Sequence, residues 1–372
     1  MIYLDNAATT IPKKEFLIEA QQFNNEKFYN PSALYHGAIE NNKMLKNARE
    51  NILKCLGSVN HQVIFTSCGS ESDNMAIFCT VKRGVFVTSK GEHSAVHNSF
   101  LELKNRGHQV EFIDLLPNGA VDTEKLFAFA KSVKIDFISL VHVNNETGAI
   151  NDVNFIAKKL KEINPKLVFH VDGVQAFGKI PYKISSDIDL YSISAHKINA
   201  LKGTGALIKK KNLNINPLIF GGGQENGLRS GTENIFGIKV FELATLNKYQ
   251  NLTKNYEEVA KLNQFVRESI KDYCEIIHDD NASPYILMVA VAGLKGEIIM
   301  HALEKLDIIV GNGSACSSKH KHSRILAACG YKEKTLDGVI RISFSSDTTK
   351  SECEIFVQKF IETILELKGK IL

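Results

Sequence analysis

The chain has 372 residues, of which 44% are hydrophobic and 23% charged, with 45 Lys and Arg against 41 Asp and Glu. This composition is typical of a globular protein, and the length suits two domains or one large α/β unit with an appendage. A net charge of +4 is too small to predict nucleic acid or an anionic membrane as the main partner. The apolar run at 285–294 falls far short of the roughly 20 residues that span a bilayer. The first residues show no secretory signal, so we expect a cytoplasmic protein.

Strand-length apolar runs alternate with helix-period segments through the first two-thirds of the chain. The predicted strands are 63–66, 84–88, 109–113, 135–141, 167–171, 189–194 and 205–209. The predicted helices are 71–80, 95–105, 123–130 and 154–163. This alternation indicates βαβ units and a mostly parallel sheet with helices on both faces. The last of these strands follows its predecessor after a short loop, which favours an antiparallel orientation.

The final third of the chain has a different pattern. A long polar helical stretch over about 234–273 is predicted to connect two lobes. A smaller α/β unit follows, and its elements are a strand at 285–291, a helix at 296–306, a loop around Cys316 and a strand at 339–344. The last helix carries one apolar stripe, which predicts that it packs against a core. The stripe consists of Phe356, Phe360, Ile364 and Leu367.

Seven cysteines are scattered without a C-x-x-C pair, which predicts reduced thiols rather than a disulfide framework. Five of them lie in helical or apolar surroundings that are typical of small core side chains. These are Cys55, Cys79, Cys274, Cys329 and Cys353. Cys316 differs because it lies among small residues at 311–318, with basic residues following at 319–324. Positive charge favours the nucleophilic thiolate, although a buried loop anchor also fits this context.

Three segments carry residues that point to chemistry. The strand at 189–194 runs into a polar loop that contains Ser194, His196 and Lys197. Ligands of α/β sheets bind beyond the carboxyl ends of strands, so Lys197 is a candidate Schiff-base nucleophile, with a surface lysine as the alternative.

The other two segments supply a carboxylate and a helix start. Asp172 and Gln175 follow the strand at 167–171, and pyridoxal phosphate needs a carboxylate beside its ring nitrogen. The turn at 66–72 enters a helix through small residues, where free backbone N–H groups would hold a phosphate. An ordinary capped helix gives the same pattern. Phosphate cup, carboxylate and strand-end lysine in this order form a specific triple.

Further segments extend this triple from residue 3 to about residue 349. They are 3–10, 30–32, 64–67, 71–74, 92–93, 143–148, 170–175, 196–197, 221–225, 229–234 and 313–316. With them the chain resembles the cysteine desulfurases of the NifS/IscS group, within the class V branch of fold type I pyridoxal-phosphate (PLP) enzymes. The motifs keep the order of that family over nearly the whole chain.

The resemblance implies a fold and an activity. The fold is an α/β PLP-dependent transferase with a large PLP-binding domain at 13–250, built on a mostly parallel seven-stranded sheet flanked by helices. A smaller α/β domain, formed by 1–12 and 251–372, carries the Cys316 loop. The activity is removal of sulfur from L-cysteine, which gives L-alanine and a persulfide on Cys316. A homodimer would pass this sulfur to an acceptor protein for iron–sulfur cluster assembly or tRNA thiolation, without a metal, a membrane or direct nucleic-acid contact.

The resemblance also implies roles for individual residues. Lys197 would hold PLP and shuttle the substrate Cα proton, His93 would stack on the ring and assist proton transfer, and Cys316 would attack the substrate sulfur. Arg341 would clamp the substrate carboxylate, and Asn145 would support the ring and the substrate. The remaining contacts are Asp172 at the pyridine nitrogen, Gln175 at the ring hydroxyl, Gly69, Ser70, Ser194 and His196 at the phosphate, and Thr232 at the phosphate of the neighbouring subunit.

Simpler roles stay open for four of these residues. His93 suits a helix cap, Gln175 a cap of the strand end, Arg341 a surface ion pair and Thr232 the N-cap of the helix that follows it. A metal site at His320 and His322 lacks nearby partners.

Three other functions stay open as well. A class V aminotransferase is disfavoured by the Cys316 loop, because that reaction needs no thiol. A catalytically silent docking scaffold is disfavoured by the intact Lys197, Asp172 and His93. A selenocysteine lyase differs only in its rates on the two substrates.

The chain also departs from the family pattern at four places. Cys68–Ser70 replaces the common Gly, small residue and Thr, and 200–203 replaces Gly-Pro-Lys-Gly. Tyr29 precedes Asn30 where a Gly is customary, and 344–346 lacks Gly-Arg. The last departure makes carboxylate binding by Arg341 the assignment that depends most on the structure.

Overall fold

The computed structural model describes residues 1–80, 83–277, 282–312 and 322–370, so Cys316 lies outside the described residues. The strands are β1 (Ile2–Leu4), β2 (His61–Thr66), β3 (Val85–Ser89), β4 (Gln109–Ile113), β5 (Phe137–Val141), β6 (Val168–Asp172), β7 (Leu190–Ser194), β8 (Gly205–Lys210), β9 (Glu275–Ile276), β10 (Ile286–Ala290), β11 (Ile308–Val310) and β12 (Val339–Ser343). The helices are α1 (Lys14–Glu26), α2 (His36–Cys55), α3 (Gly69–Cys79), α4 (Ser94–Asn105), α5 (Thr123–Ser132), α6 (Val153–Ile163), α7 (Ile235–Gln250), α8 (Leu252–Ile270), α9 (Gly296–Glu304), α10 (Arg324–Ala328), α11 (Glu333–Leu336) and α12 (Lys350–Gly369).

The largest sheet has the seven strands that the sequence predicts, and their order is β2-β8-β7-β6-β5-β3-β4. All pairs are parallel except those of β8, which runs antiparallel to both β2 and β7. The antiparallel direction predicted for the strand at 205–209 is therefore confirmed. Since Gly205 pairs with both Thr66 and Ser194, the turn after β2 and the loop after β7 lie at the same edge. Asp172 ends β6 beside Ser192, which brings the third predicted segment to that edge.

The second, smaller unit has its own core. Strands β12, β10 and β9 form an antiparallel sheet, and β1 pairs in parallel with β11. Its apolar cluster includes Leu4 from the amino-terminal segment together with Leu287 and Ile340. The separate core supports the predicted division into 13–250 and 1–12 with 251–372, which stays a prediction.

The last helix packs as its stripe predicts. Phe356, Phe360 and Ile364 are fully buried in the second core, and Leu367 packs against it. The helix begins with a capping box between Thr349 and Glu352, which satisfies backbone N–H groups that the first turn leaves without partners.

The helical stretch predicted at 234–273 is two helices rather than one. It breaks at Asn251, whose backbone has left the helical region with ψ at 18°. The cause is packing, because α7 contributes Val240 and Phe241 to the core of the large sheet while α8 contributes Val259 and Val266 to the second core.

The sequence analysis did not predict α1 and α2, which both pack against α7. Helix α2 buries Leu45, Ala48 and Ile52 on one face, but polar residues surround these positions and dilute the apolar signal. The predicted core cysteines Cys79, Cys329 and Cys353 are buried, whereas Cys55 and Cys274 are partly buried. Burial raises the pKa of the Cys79 thiol to about 11, which disfavours its thiolate. In the part of the chain that the structure describes, no helix is long and apolar enough to cross a membrane.

Candidate active site

A cavity of about 310 Å³ lies at the sheet edge where β2, β6 and β7 end. Its volume is at the lower end of the range typical of small-molecule sites. It brings together most of the site residues that the sequence predicts. Those that line it are Gly69, Ser70, His93, Asn145, Asp172, Gln175, Ser194, His196, Lys197 and Arg341.

Lys197 lies on a short turn, Ala195–Lys197, that follows β7. Its Nζ donates hydrogen bonds to the carbonyl oxygens of Ala7 at 2.6 Å and Ala8 at 2.8 Å. The amino-terminal segment therefore passes over the cavity and contributes backbone acceptors to it. The sequence analysis missed these acceptors, because a carbonyl group leaves no signature in residue type.

Asp172 ends β6 and is almost completely buried at 4% exposure. Burial raises the pKa of its carboxyl group, and the positive charge that His93 and Lys197 can carry opposes this shift. One carboxylate oxygen accepts a hydrogen bond from the backbone N–H of Val174 at 3.0 Å. The carboxylate thus keeps a fixed orientation at the floor of the cavity.

The side chain of His93 has two roles in the structure. Its Nδ1 accepts a hydrogen bond from the backbone N–H of Ala95 at 3.2 Å, so the helix-cap reading is confirmed. The same ring lines the cavity, so capping does not remove it from the site. Burial lowers the pKa of His93, which favours the neutral imidazole.

The turn after β2 presents the start of α3 to the cavity. No side chain among the described residues caps this helix, since the N-cap residue is Cys68. A Cβ atom added to Gly69 would come within 2.8 Å of Val174 Cγ2, so the backbone approaches its neighbours closely here. Ser194 Oγ is buried and has no hydrogen-bond partner in the described part of the chain. Helix dipole, glycine and unpaired hydroxyl together form a cradle for an anion.

Gln175 does not cap the strand end, so that alternative is wrong. Its Nε2 donates to the carbonyl oxygen of Ala7 at 2.8 Å, and its Oε1 accepts from Lys179 Nζ at 2.7 Å. Because Lys197 also donates to Ala7, the amide of Gln175 lies next to the lysine amine.

Arg341 is buried on β12 with 5% exposure, so the reading as a surface ion pair is wrong. Its Nη2 pairs with Asp5 at 2.8 Å, and its Nη1 donates to the backbone carbonyl of Asn145 at 2.9 Å. Within the described residues, Arg341 Nε and Asn145 Oδ1 are buried without hydrogen-bond partners. The guanidinium group is thus held in place while part of its donor capacity stays available to a ligand.

Thr232 is exposed and does not line the cavity of its own chain. Helix α7 begins at Ile235 and is capped by Asn234, which accepts from the backbone N–H of Gly237 at 3.0 Å. The N-cap reading of Thr232 is therefore wrong. Its contribution to a neighbouring subunit stays a prediction.

The cavity also contains a buried carboxyl group that the sequence analysis did not single out. Asp73 on α3 lines the cavity with 1% exposure, and burial together with the nearby Asp172 raises its pKa well above the ordinary value. It belongs to the segment 71–74 that carries the family resemblance, which is the signal that could have found it.

A second unpredicted cluster joins the segment after residue 321 to the rim of the cavity. Arg324 donates to the backbone carbonyls of Lys90 and Glu92, just before His93. Ser323 Oγ donates to the carboxylate of Glu146. Burial raises the pKa of Glu92 to about 8 and that of Glu146 to about 7. These contacts link residues more than 170 positions apart, which no local pattern reveals.

The residues present fit PLP. The anion cradle at Gly69 and Ser194 suits its phosphate, and the buried Asp172 suits its ring nitrogen. Lys197 presents a primary amine to the same cavity, as a carbonyl cofactor requires.

Comparison with protein families and curated proteins agrees with this geometry. The model of the family described as Aminotransferase class-V matches residues 2–356. The cysteine desulfurase IscS of Dictyoglomus turgidum is 36% identical, and the alignment covers 98% of this chain and 94% of that protein. A NifS/IcsS protein homolog of Lactobacillus delbrueckii subsp. bulgaricus is 34% identical over 97% of each chain.

Solved structures show the same architecture. A NifS-like protein superposes with a TM-score of 0.91 at 31% identity, covering 98% of this chain and 99% of the other. A NifS-like protein from Rickettsia africae gives a TM-score of 0.89 at 29% identity over 98% and 99% of the two chains. SspA in complex with cysteine gives 0.80 at 28% identity over 94% and 100%. These likenesses confirm the predicted fold.

Proposed function

Since the chain belongs to the class-V aminotransferase family and its curated relatives are cysteine desulfurases, we propose that it removes sulfur from L-cysteine with PLP as cofactor. The products are L-alanine and a persulfide on Cys316. The observation that carries the proposal is the convergence of Lys197, Asp172 and His93 on one cavity beside an anion cradle.

The floor of the cavity would hold the cofactor. Gly69, Ser70, Ser194 and His196 would bind its phosphate, and Asp172 would keep its ring nitrogen protonated. Bound there, PLP supplies an electron sink for the pair that is left when the substrate loses its Cα proton. Gln175 would donate a hydrogen bond toward the ring hydroxyl, and His93 would lie against the ring.

Lys197 would hold the cofactor and then move the substrate proton. Its amine donates to two backbone carbonyls, which fix its position in the cavity. The lowered pKa of His93 favours the neutral ring beside the same cavity, and because Nδ1 accepts from Ala95 the ring proton is on Nε2.

Arg341 would bind the substrate carboxylate. Asp5 and the carbonyl of Asn145 orient its guanidinium group, and Nε lacks a partner among the described residues. A carboxylate bound by this planar group would be held in one orientation within the cavity that Lys197 also lines. The departure at 344–346 leaves Arg341 in place, because Phe344 is buried in the second core while Ser346 accepts from Lys248.

Cys316 would take the sulfur. Its thiolate attacks the substrate sulfur, and the Cβ–S bond breaks. The electron pair of that bond stays on the substrate Cβ, which is then protonated and becomes the methyl group of alanine. Residues that the structure describes on both sides of Cys316 support this role. Gly311 pairs with Arg341, and Arg324 donates to the backbone before His93, so a described residue on each side of Cys316 lies at the cavity rim.

The fate of the sulfur and the assembly are part of the same proposal. The persulfide would pass to an acceptor protein for iron–sulfur cluster assembly or tRNA thiolation in the cytoplasm. Thr232 would reach the phosphate of the neighbouring subunit in a homodimer. Its exposure on the loop before α7 supports such a contact.

The test is L-alanine release from L-cysteine by the purified protein and its Cys316→Ala variant. We expect cysteine-dependent alanine from the wild type and at least a ~100-fold loss in the variant, because the general removal of a catalytic nucleophile costs this much or more. Cys55→Ala is the matched control, since Cys55 is partly buried at the end of α2. Wild-type alanine release by Cys316→Ala would contradict the assignment of the nucleophile.

A further inference from the structure

We propose that Lys179 is a positioning residue that fixes the orientation of the Gln175 amide toward the cofactor. This inference rests on the proposed function. It adds to the site a residue that does not line the cavity and acts only through another side chain.

Lys179 lies in a buried turn that follows β6. Backbone hydrogen bonds from Ala176 and Phe177 to Gly173, and from Lys179 to Ala176, order this turn. The side chain of Lys179 is 4% exposed, and Gln175, four residues earlier, is equally buried. The ring centroid of Tyr285, which belongs to the second core, lies 6.0 Å from Lys179 Nζ. Water has little access to this amine.

The amine has one acceptor among the described residues, which is Gln175 Oε1 at 2.7 Å. It forms no ion pair within that part of the chain. Burial lowers the pKa of Lys179, and the positive charges of Lys197, Lys248 and Arg341 around it lower it further. Because a neutral amine still has N–H groups, Lys179 donates to Gln175 in either protonation state.

This contact and the Ala7 carbonyl together hold the two ends of the amide, and Lys179 is the partner of its oxygen. An amide has a carbonyl acceptor and an NH₂ donor that differ little in shape, so only its partners fix its orientation. Lys179 donates to the carbonyl end of Gln175, and Ala7 O accepts from the NH₂ end. The NH₂ end therefore faces Ala7 O, to which Lys197 also donates.

A donor in this position favours an anionic ring oxygen on the cofactor. If the Gln175 amide rotated by about 180°, its carbonyl oxygen would face the ring oxygen of the cofactor. The hydrogen bond between the amide and the ring oxygen would then be lost. The ring oxygen would then become more basic. Lys179 thus helps to keep the ring oxygen of the cofactor anionic without contacting the cofactor.

The experiment is a pH titration of the visible absorbance of the holoenzyme. We expect Lys179→Met to raise the midpoint by roughly one pH unit, the effect of losing one hydrogen bond to a charged acceptor. Gln175→Met should raise it similarly, and Lys179→Met in the Gln175→Met background should add nothing. The rate of PLP release, measured on the same proteins, should rise with the midpoint.

Lys248→Met is the matched control. Lys248 is also buried, at 5% exposure, but it donates to Ser346 Oγ at 2.7 Å instead of Gln175. Its loss should leave the midpoint unchanged. An unchanged midpoint in Lys179→Met contradicts the proposal, and so does a shift that persists in the Gln175→Met background, because Lys179 would then act by its charge.

A second variant keeps the proposal testable if Lys179→Met does not fold. Lys179→Arg retains a donor, so its midpoint should match the wild type, and a shift as large as that of Gln175→Met would contradict the inference. These titrations need no substrate. A wild type that releases no alanine from L-cysteine overturns the proposed function but does not alter the midpoints.

Discussion

The floor and the rim of the cavity are built in different ways. The floor consists of side chains at the carboxyl ends of neighbouring strands, where the register of β6, β7 and β8 brings Asp172 and Lys197 together. The rim consists of side chains from the second unit and of the groups of the large unit that they contact, such as Glu92 and Glu146, and long-range pairs such as Arg341 with Asp5 fix their positions. Backbone register therefore determines the floor, whereas long-range side-chain contacts determine the rim.

This difference predicts that a change in the floor abolishes chemistry, whereas a change in the rim alters substrate binding, stability or sulfur transfer. The four variants that follow address both regions.

The largest effect is expected for Lys197→Ala. Loss of the amine that holds the cofactor and moves the proton should lower kcat for alanine release by roughly 1,000-fold or more. Borohydride reduction followed by peptide mapping should place the cofactor on Lys197 in the wild type alone. Lys166→Ala, an exposed lysine, is the control. A variant that retains wild-type turnover would remove Lys197 from the mechanism.

Arg341→Met should raise KM for L-cysteine by about 100-fold, since it removes a charged hydrogen-bond partner of the substrate carboxylate. The same variant leaves the partly buried Asp5 without its partner, so thermal unfolding must be measured alongside kinetics. Cofactor absorbance should stay unchanged, because the floor is intact. A loss of cofactor together with a normal KM would instead assign Arg341 to the floor.

Glu92→Gln tests the electrostatics of the rim through stability. The pKa of Glu92 is raised from 4.5 to about 8, so between these values the folded state holds a proton that the unfolded state has lost. Stability therefore falls as pH rises through this window, by roughly 2 kcal/mol between pH 6 and pH 8. The variant should flatten this dependence in denaturant titrations at the two pH values. An unaltered slope would show that Glu92 does not cause it.

Arg324→Met should have the smallest effect, about tenfold on the rate of persulfide formation at Cys316. Arg324 fixes the described residues that follow the Cys316 segment to the backbone beside His93, so its loss should release that flank from the rim without disturbing cofactor binding. Lys334→Met changes an exposed residue nearby and should leave the rate unchanged. Weakened cofactor binding in Arg324→Met would contradict the separation of rim from floor.

The sequence predicted the floor because local patterns encode it. Strand periodicity located the ends of β6 and β7, and residue chemistry identified Asp172 and Lys197 there. For the rim the prediction succeeded for Arg341 as a residue but not for its surroundings. The resemblance named Arg341, yet its burial and its bond to Asp5 depend on the pairing of β1 with β11, two strands of three residues each.

Other misses have the same physical origin. The break at Asn251 arises because α7 packs against the core of the large sheet and α8 packs against the second core. Helical periodicity in the sequence does not show this difference. Lys179 looked like any lysine after a turn until the fold buried it against Gln175. Both features depend on tertiary packing, which the local sequence pattern does not encode.

The central claim is that sulfur leaves L-cysteine in this cavity and arrives at Cys316. The most direct measurement is a single turnover of holoenzyme with L-cysteine and no acceptor, in which alanine and the sulfur content of the Cys316 peptide are measured together. We predict one alanine for each additional sulfur atom on Cys316. Alanine without added sulfur on that peptide, or no alanine from a protein loaded with PLP, would contradict the account.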